Sequence, residues 1–353
     1  MHATSLPTHF RTPRAAARRW LAGTCVGLAA LLAASGAPAA VTVLLGDGLP
    51  AHAEFARALR EGAEPGAARV DVVRLGPSGA TEPAEYSSNT AANDDDRSVI
   101  AGVRTRSLRS AAGPGPGDAP VTVAVGVAAS RAAIERPGQE PLLLAMLSRL
   151  DYEGLRSHPG LRRSDRRVGV LLRDPALADT LTLIDAVLPQ KRRLGVVTTV
   201  DAEPLLRELQ RAAAGWDLQI QYAPDATALA TALRTVVLVS DALLVLPDAV
   251  GDNQAATLAV LRAAAAAGLP VFGNSDGLVR SGGLAAAVST PTQLAQQARS
   301  LCERLAAGQA SGSAPLLEAA APATVRVNPQ VARALGLRLP DERELGRRIS
   351  ALR

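Results

Sequence analysis

Aromatic residues are nearly missing from this 353-residue chain, which holds two Trp, three Tyr and three Phe. Ala, Val and Leu must fill the interior, and few rings are left to stack on nucleobases or sugars. Histidine and cysteine are scarce too. His2, His9, His52, His158, Cys25 and Cys302 lie far apart and give no zinc-ligand spacing. Asp94-Asp95-Asp96 lacks the continuation of a calcium loop and reads as a helix cap. No metal ligand and no cofactor is therefore expected. Beyond residue 40, no apolar run approaches the roughly eighteen residues that a membrane-spanning helix needs.

What is present begins with a leader. Arg11, Arg14, Arg18 and Arg19 precede the apolar run Trp20 to Leu32, and no acid interrupts them. The run is short for a membrane span, and Ala37-Pro38-Ala39 supplies an A-x-A cleavage pattern, with Ala40 as an alternative cut. Residues 1–40 are thus expected to be a secretory signal peptide, rather than an uncleaved anchor, and the protein to be periplasmic with no membrane insertion after cleavage. Cys25 lies before most of the apolar run and is no convincing lipid-attachment site. The leader holds four of the 38 basic residues and none of the 33 acidic ones, so the remainder carries a net charge of only +1. That charge demands no nucleic acid as partner. One cysteine, Cys302, survives cleavage, which excludes an intrachain disulfide and leaves stability to a large core.

Strand-length apolar runs alternate with Ala-rich helical stretches. Strands are expected at 41–45, 70–75, 121–125, 141–146 and 167–172, then at 194–198, 218–222, 242–246 and 270–272, with later ones at 283–288 and 325–327. Helices are expected at 50–61, 94–112, 202–214, 227–237, 253–267 and 291–307. This alternation implies an α/β fold with parallel sheets buried on both faces. The second group of elements is regular enough to be its own domain. Residues 76–93 and 113–117, rich in Gly, Pro, Ser and Asn, read as a surface excursion.

Two motifs carry enzymatic alternatives. Gly46-x-Gly48-x-x-Ala51 follows a strand and opens a helix, which fits a dinucleotide fingerprint and an NAD(P)-dependent enzyme. The ribose-binding acid is missing at the end of the next strand, where Arg74 stands. The plainer reading is a Gly-rich turn that exposes Asp47. Gly273-Asn274-Ser275-Asp276-Gly277 spells a hydrolase elbow, yet no histidine follows Ser275 to serve as base. The plainer reading is a polar turn facing a cleft. The chain is therefore expected not to be an enzyme.

From residue 168 onward an ordered set of segments becomes recognisable. It includes Asp174-Pro175, Leu188-Pro189, Ser240-Asp241-Ala242-Leu243-Leu244-Val245-Leu246-Pro247-Asp248 with Asn253, and Leu269-Pro270-Val271-Phe272-Gly273. Val279-Arg280-Ser281-Gly282-Gly283-Leu284-Ala285 follows, and the set closes on Asn328, Ala332, Leu335-Gly336-Leu337 and Pro340. The set resembles the ABC-transporter substrate-binding proteins that include bacterial tryptophan-binding lipoproteins, in the proteobacterial branch without a lipid anchor. The resemblance implies type I periplasmic-binding-protein architecture, with two Rossmann-like lobes closing on a small, amino-acid-like ligand. It also implies an ABC permease as partner. The alternative within the same fold is a periplasmic sensor or accessory subunit that signals to a membrane partner.

The lobes are then expected at 41–165 plus 284–324 and at 166–283 plus 325–353. Open α/β sheets bind ligands beyond the carboxyl ends of their strands. The candidate ligand-binding residues are accordingly Gly46, Asp47 and Ser130 in the first lobe, with Thr198, Asp248, Asn253, Asn274, Ser275 and Asp276 in the second. Ser, Thr, Asn and helix N-termini suit a ligand carboxylate, and Asp248 or Asp276 an amine. For each acid the competing role is a helix cap.

Overall fold

The computed structural model describes residues 41–62, 70–75, 81–83, 120–309, 314–322 and 324–351. The chain opens with β1 (Val41–Leu45), α1 (Pro50–Glu61), β2 (Val70–Leu75), β3 (Thr81–Pro83), β4 (Val121–Val125), α2 (Gly126–Glu135), β5 (Leu142–Leu147), α3 (Arg149–Leu155) and β6 (Val168–Pro175). It continues through α4 (Leu177–Val187), β7 (Arg193–Thr198), α5 (Glu203–Ala212), β8 (Asp217–Tyr222), α6 (Ala226–Val239), β9 (Ala242–Leu244), α7 (Gln254–Ala266), β10 (Val271–Gly273), α8 (Asp276–Arg280) and β11 (Ala285–Val288). Last come α9 (Pro291–Ala306), β12 (Leu316–Ala320), β13 (Thr324–Val327), α10 (Pro329–Ala334) and α11 (Glu342–Ser350).

These strands form two sheets, ordered β12-β6-β5-β4-β1-β2-β3 and β13-β11-β10-β9-β7-β8. Within them only β3 and β13 pair antiparallel with their neighbours. Apolar runs dictate this arrangement, because a parallel strand covered on both faces must be apolar at every position. In β1, Val43 and Leu45 join a core with Phe55 and Leu59 of α1 and Leu294, Leu301 and Leu305 of α9, whereas Leu44 packs on the opposite face with Ala129 of α2 and Leu155 of α3. The second sheet is layered likewise, with α4, α5, α10 and α11 on one side and α6, α7 and α8 on the other. The result is the expected α/β architecture of two Rossmann-like lobes with parallel sheets. No helix among the described residues is long and apolar enough to cross a membrane.

Two strands lie in the other sheet from the one their sequence position implied. β6 belongs to the first sheet, where Leu142 pairs with Val168, although the chain was expected to leave that lobe at residue 165. The charged stretch Leu161 to Arg167 resembles a linker but is an internal connection. Arg166 is buried there, donating to the carbonyls of Ala133 and Glu140 and to the Glu140 carboxylate. β11 belongs to the second sheet, pairing with β10 and β13, although residues 284–324 were expected in the first lobe. The chain therefore passes between sheets after β6, after β11 and between β12 and β13. α9 returns to the first lobe, and Arg299 Nη1 donates to the carbonyls of Ala58 and Leu59 at the end of α1, where a helix leaves acceptors unsatisfied.

The lobes also meet beside these crossings. Leu150 of α3 packs against the core of the second lobe. Glu208 of α5 accepts from the Leu177 amide and pairs with Arg149 of α3.

Candidate functional site

In each sheet the strand order reverses at one point, and ligands of open α/β sheets gather outside such points. In the first sheet the reversal lies between β1 and β4, and the chain's own groups fill it. Asp47 Oδ1 accepts from the Leu49 amide at 3.2 Å and from His52 Nδ1 at 2.8 Å. The buried His52 ring lies over Gly126, whose φ of +79° and missing Cβ make room for it; a Cβ there would stand 2.6 Å from the ring. Gly46 is pressed against α2, with an added Cβ 2.5 Å from the Ala129 amide nitrogen. The dinucleotide reading fails on this geometry, because the Asp47 carboxylate sits where a pyrophosphate would meet the first helix. Ser130 is fully buried in α2, its hydroxyl without a hydrogen-bond partner among the described residues.

The second sheet reverses between β7 and β9, and it too is filled from within. Thr198 Oγ1 donates to Asp248 Oδ2 at 2.5 Å, and Asp248 Oδ1 accepts from the amides of Val250 and Gly251 at 3.0 Å each. Both side chains are buried. Asp248 thus closes a turn and has no oxygen to spare for an amine. Asn253 caps α7 by accepting from the Ala256 amide, and its side chain is directed into that helix end. Asp276 is engaged by Arg280 and, at 3.7 Å, by Arg326.

The carboxyl ends of the two sheets converge elsewhere. At the end of β6, Asp174 Oδ1 accepts from Asn274 Nδ2 at 2.9 Å, and Asn274 directly follows β10. Beside this contact Arg173 stands 3.6 Å from Asp174 Oδ2 and 3.6 Å from Asp252. A cavity of about 490 Å³ opens here. Its polar lining includes Arg173, Asp174, Asp252, Gln254, Asn274 and Ser275, and its apolar wall includes Val245, Pro247 and Leu278. Burial pushes the Asp174 carboxyl up to about 6, with Arg173 pulling it down and the charges of Asp252 and Asp151 pushing it further up.

Of the nine candidates, Asn274 and Ser275 line this cavity; Gly46, Asp47, Ser130, Thr198, Asp248, Asn253 and Asp276 do not. Arg173, Asp174 and Asp252 were not foreseen, although Asp174-Pro175 directly after an apolar run does mark a strand's carboxyl end. The Ser275 hydroxyl accepts from the Leu278 amide and so caps α8. No described histidine serves it as a base: His52 is held by Asp47, and His158 accepts from the Gly160 amide.

The sequence profile of the ABC transporter substrate binding protein family matches residues 123–344. The chain belongs to this family. No curated protein matches the chain. Among solved structures, this substrate-binding protein is similar to the ligand-free, open form of a substrate binding protein with adhesive properties from Clostridium difficile. The identity is 15% and the TM-score 0.59, over 86% of this chain and 96% of the other. It is also similar to a conserved domain protein from Vibrio cholerae, at 20% identity and a TM-score of 0.50, over 88% and 98% of the two chains. At these identities the likeness concerns the fold. The family is one of proteins that bind small-molecule substrates for ABC transporters, and that role fits a cavity bounded by two sheets.

Proposed function

We propose that this substrate-binding protein is exported to the periplasm, binds a small amino-acid-like solute between its lobes, and delivers it to an ABC permease without chemically altering it. In this reading the first lobe comprises residues 41–175 and 291–320, and the second residues 177–288 and 324–351. The observation that carries the reading is the Asp174–Asn274 hydrogen bond at 2.9 Å, which ties the carboxyl ends of the two sheets to one polar cavity. A solute touching both rims lowers the energy of the closed arrangement more than that of the open one, so binding shifts the population toward closure. Asn274 and Ser275 supply wall groups from the second lobe, and Arg173 and Asp174 supply those of the first. With Asp248 and Asp276 committed internally, the acids facing the cavity are Asp174 and Asp252, and Asp174 is the more enclosed of the two.

Thermal-shift screening of the purified protein against amino acids, sugars, nucleosides and short peptides tests the reading, with small-angle scattering on any hit. An amino-acid hit that also contracts the protein supports it. Stabilisation by sugars or nucleosides alone would overturn the ligand class, and a hit without contraction would overturn the closure.

A further inference from the structure

We infer that the cavity beside Asp174 selects a compact aliphatic solute bearing a primary ammonium, and that Asp174 recognises that ammonium. The inference rests on the solute-binding reading and narrows it to a chemical class.

Rings are the first discriminator. Phe55 and Phe272 are fully buried in the cores of separate lobes, and Tyr152 packs within the first-lobe core. Trp216 packs against the second-lobe core under the Arg192 guanidinium, 5.3 Å from its centroid, and Tyr222 ends the edge strand β8. None of these five lines the cavity. Among the described residues, an indole, a nucleobase or a sugar face would find no ring to stack on there. The apolar wall of Val245, Leu246, Pro247, Leu258 and Leu278 instead suits a short branched hydrocarbon.

Charge is the second discriminator. Among the described residues, the charged groups lining the cavity are Arg173, Asp174 and Asp252, which leave one negative charge in excess. A bare anion is disfavoured, and an ammonium is favoured. The third discriminator is the state of Asp174 itself. One oxygen is held by Asn274; the other is buried without a hydrogen-bond partner among the described residues, Arg173 standing at 3.6 Å, beyond hydrogen-bond range. A part-buried carboxylate with one shielded, underpaired oxygen gains more from a new donor than an exposed one does. Its carboxyl, raised by burial to about 6 with Arg173 opposing and Asp252 and Asp151 reinforcing, remains ionised near neutral pH and ready to pair. An ammonium that takes Asp174 also frees Arg173 for a carboxylate on the same solute.

The test is calorimetric titration of the full chain near neutral pH with L-valine, isobutylamine, isobutyrate and L-tryptophan. The expected order is valine first, isobutylamine weaker, isobutyrate silent and tryptophan at least about tenfold weaker than valine. Asp174→Asn should weaken valine by roughly a hundredfold, because it removes the charge facing the ammonium. If that variant does not fold, the wild type carries the test, since its valine affinity should fall as pH drops below the range in which Asp174 is ionised. Tryptophan or isobutyrate binding more tightly than valine would overturn the inference while leaving the solute-binding reading intact. An unchanged affinity in Asp174→Asn would overturn the role of that residue. Silence from all four probes would overturn the inference, and silence across the wider screen the solute-binding reading as well.

Discussion

Arg149, at the head of α3 in the first lobe, stands 3.6 Å from Glu208 of α5 in the second. Glu208 also accepts from the amide of Leu177, the first residue of α4 after the β6 crossing, so one carboxylate ties α3, α4 and α5 together. Each side chain is about four-fifths buried, at 21% and 23% exposed, which places the pair above a free surface ion pair in worth. A double-mutant cycle on Arg149→Ala and Glu208→Ala, read by urea unfolding, should give a coupling of about 1 kcal/mol. Additive effects would show that the two groups do not act together.

Asp248 should matter for folding before it matters for ligand. Its two oxygens satisfy the Val250 and Gly251 amides and the Thr198 hydroxyl inside the second lobe. Asp248→Ala strands buried donors and should cost about 3 kcal/mol, with Thr198→Val milder at about 1 kcal/mol. Chemical denaturation checks both, and a Thr198→Val protein that keeps its ligand affinity would confirm that the pair is structural.

The part-buried Asp174 carboxyl makes apo stability fall as pH rises. Its pKa is about 6 in the folded chain against a reference value of 3.8, so between those values the folded state holds a proton that the unfolded state has lost. Stability therefore declines as pH rises from about 4 to 6, and the full penalty, on the order of 2–3 kcal/mol, is present above 6. Asp174→Asn should flatten this segment of the melting-temperature profile and raise the melting point near neutrality. A profile unchanged by the substitution would mean that another group titrates.

Gly126 is fixed by two separate constraints, its φ of +79° and the His52 ring. Gly126→Ala should destabilise by roughly 2–4 kcal/mol, because both the backbone strain and the clash must be relieved. Adding His52→Ala removes the clash but leaves the strain of about 1 kcal/mol, so the double variant should recover part of the loss. No recovery would show that the ring is not the obstacle.

The strands that carry both lobes were legible because burial on two faces forces continuous apolar runs, as in Val121–Val125 and Arg193–Thr198. β12 was not assigned from sequence: Leu316–Ala320 is made of strong helix formers and is a strand because β6 offers it an edge. α2 was missed as well, since it starts directly from β4 at Gly126 with no side-chain cap to announce it. The helix expected over 94–112 and the excursion at 76–93 and 113–117 lie outside the described residues. Site chemistry was half legible. Residue type marks Asp248 and Asp174 equally, and only their surroundings separate them. One is enclosed by its own turn; the other meets a partner 100 residues away.

The order of the last elements has a consequence for how the molecule comes to be. α9 covers a face of the first sheet and β12 completes its edge, while β13, α10 and α11 belong to the second. A nascent polypeptide that has yet to emerge past residue 290 lacks Leu294, Leu301 and Leu305 over α1, so the first half cannot mature until most of the second has been made. The first half has all its parts once residue 320 has emerged and the second only after α11, so a truncation beyond residue 320 should cripple the second half and spare the first.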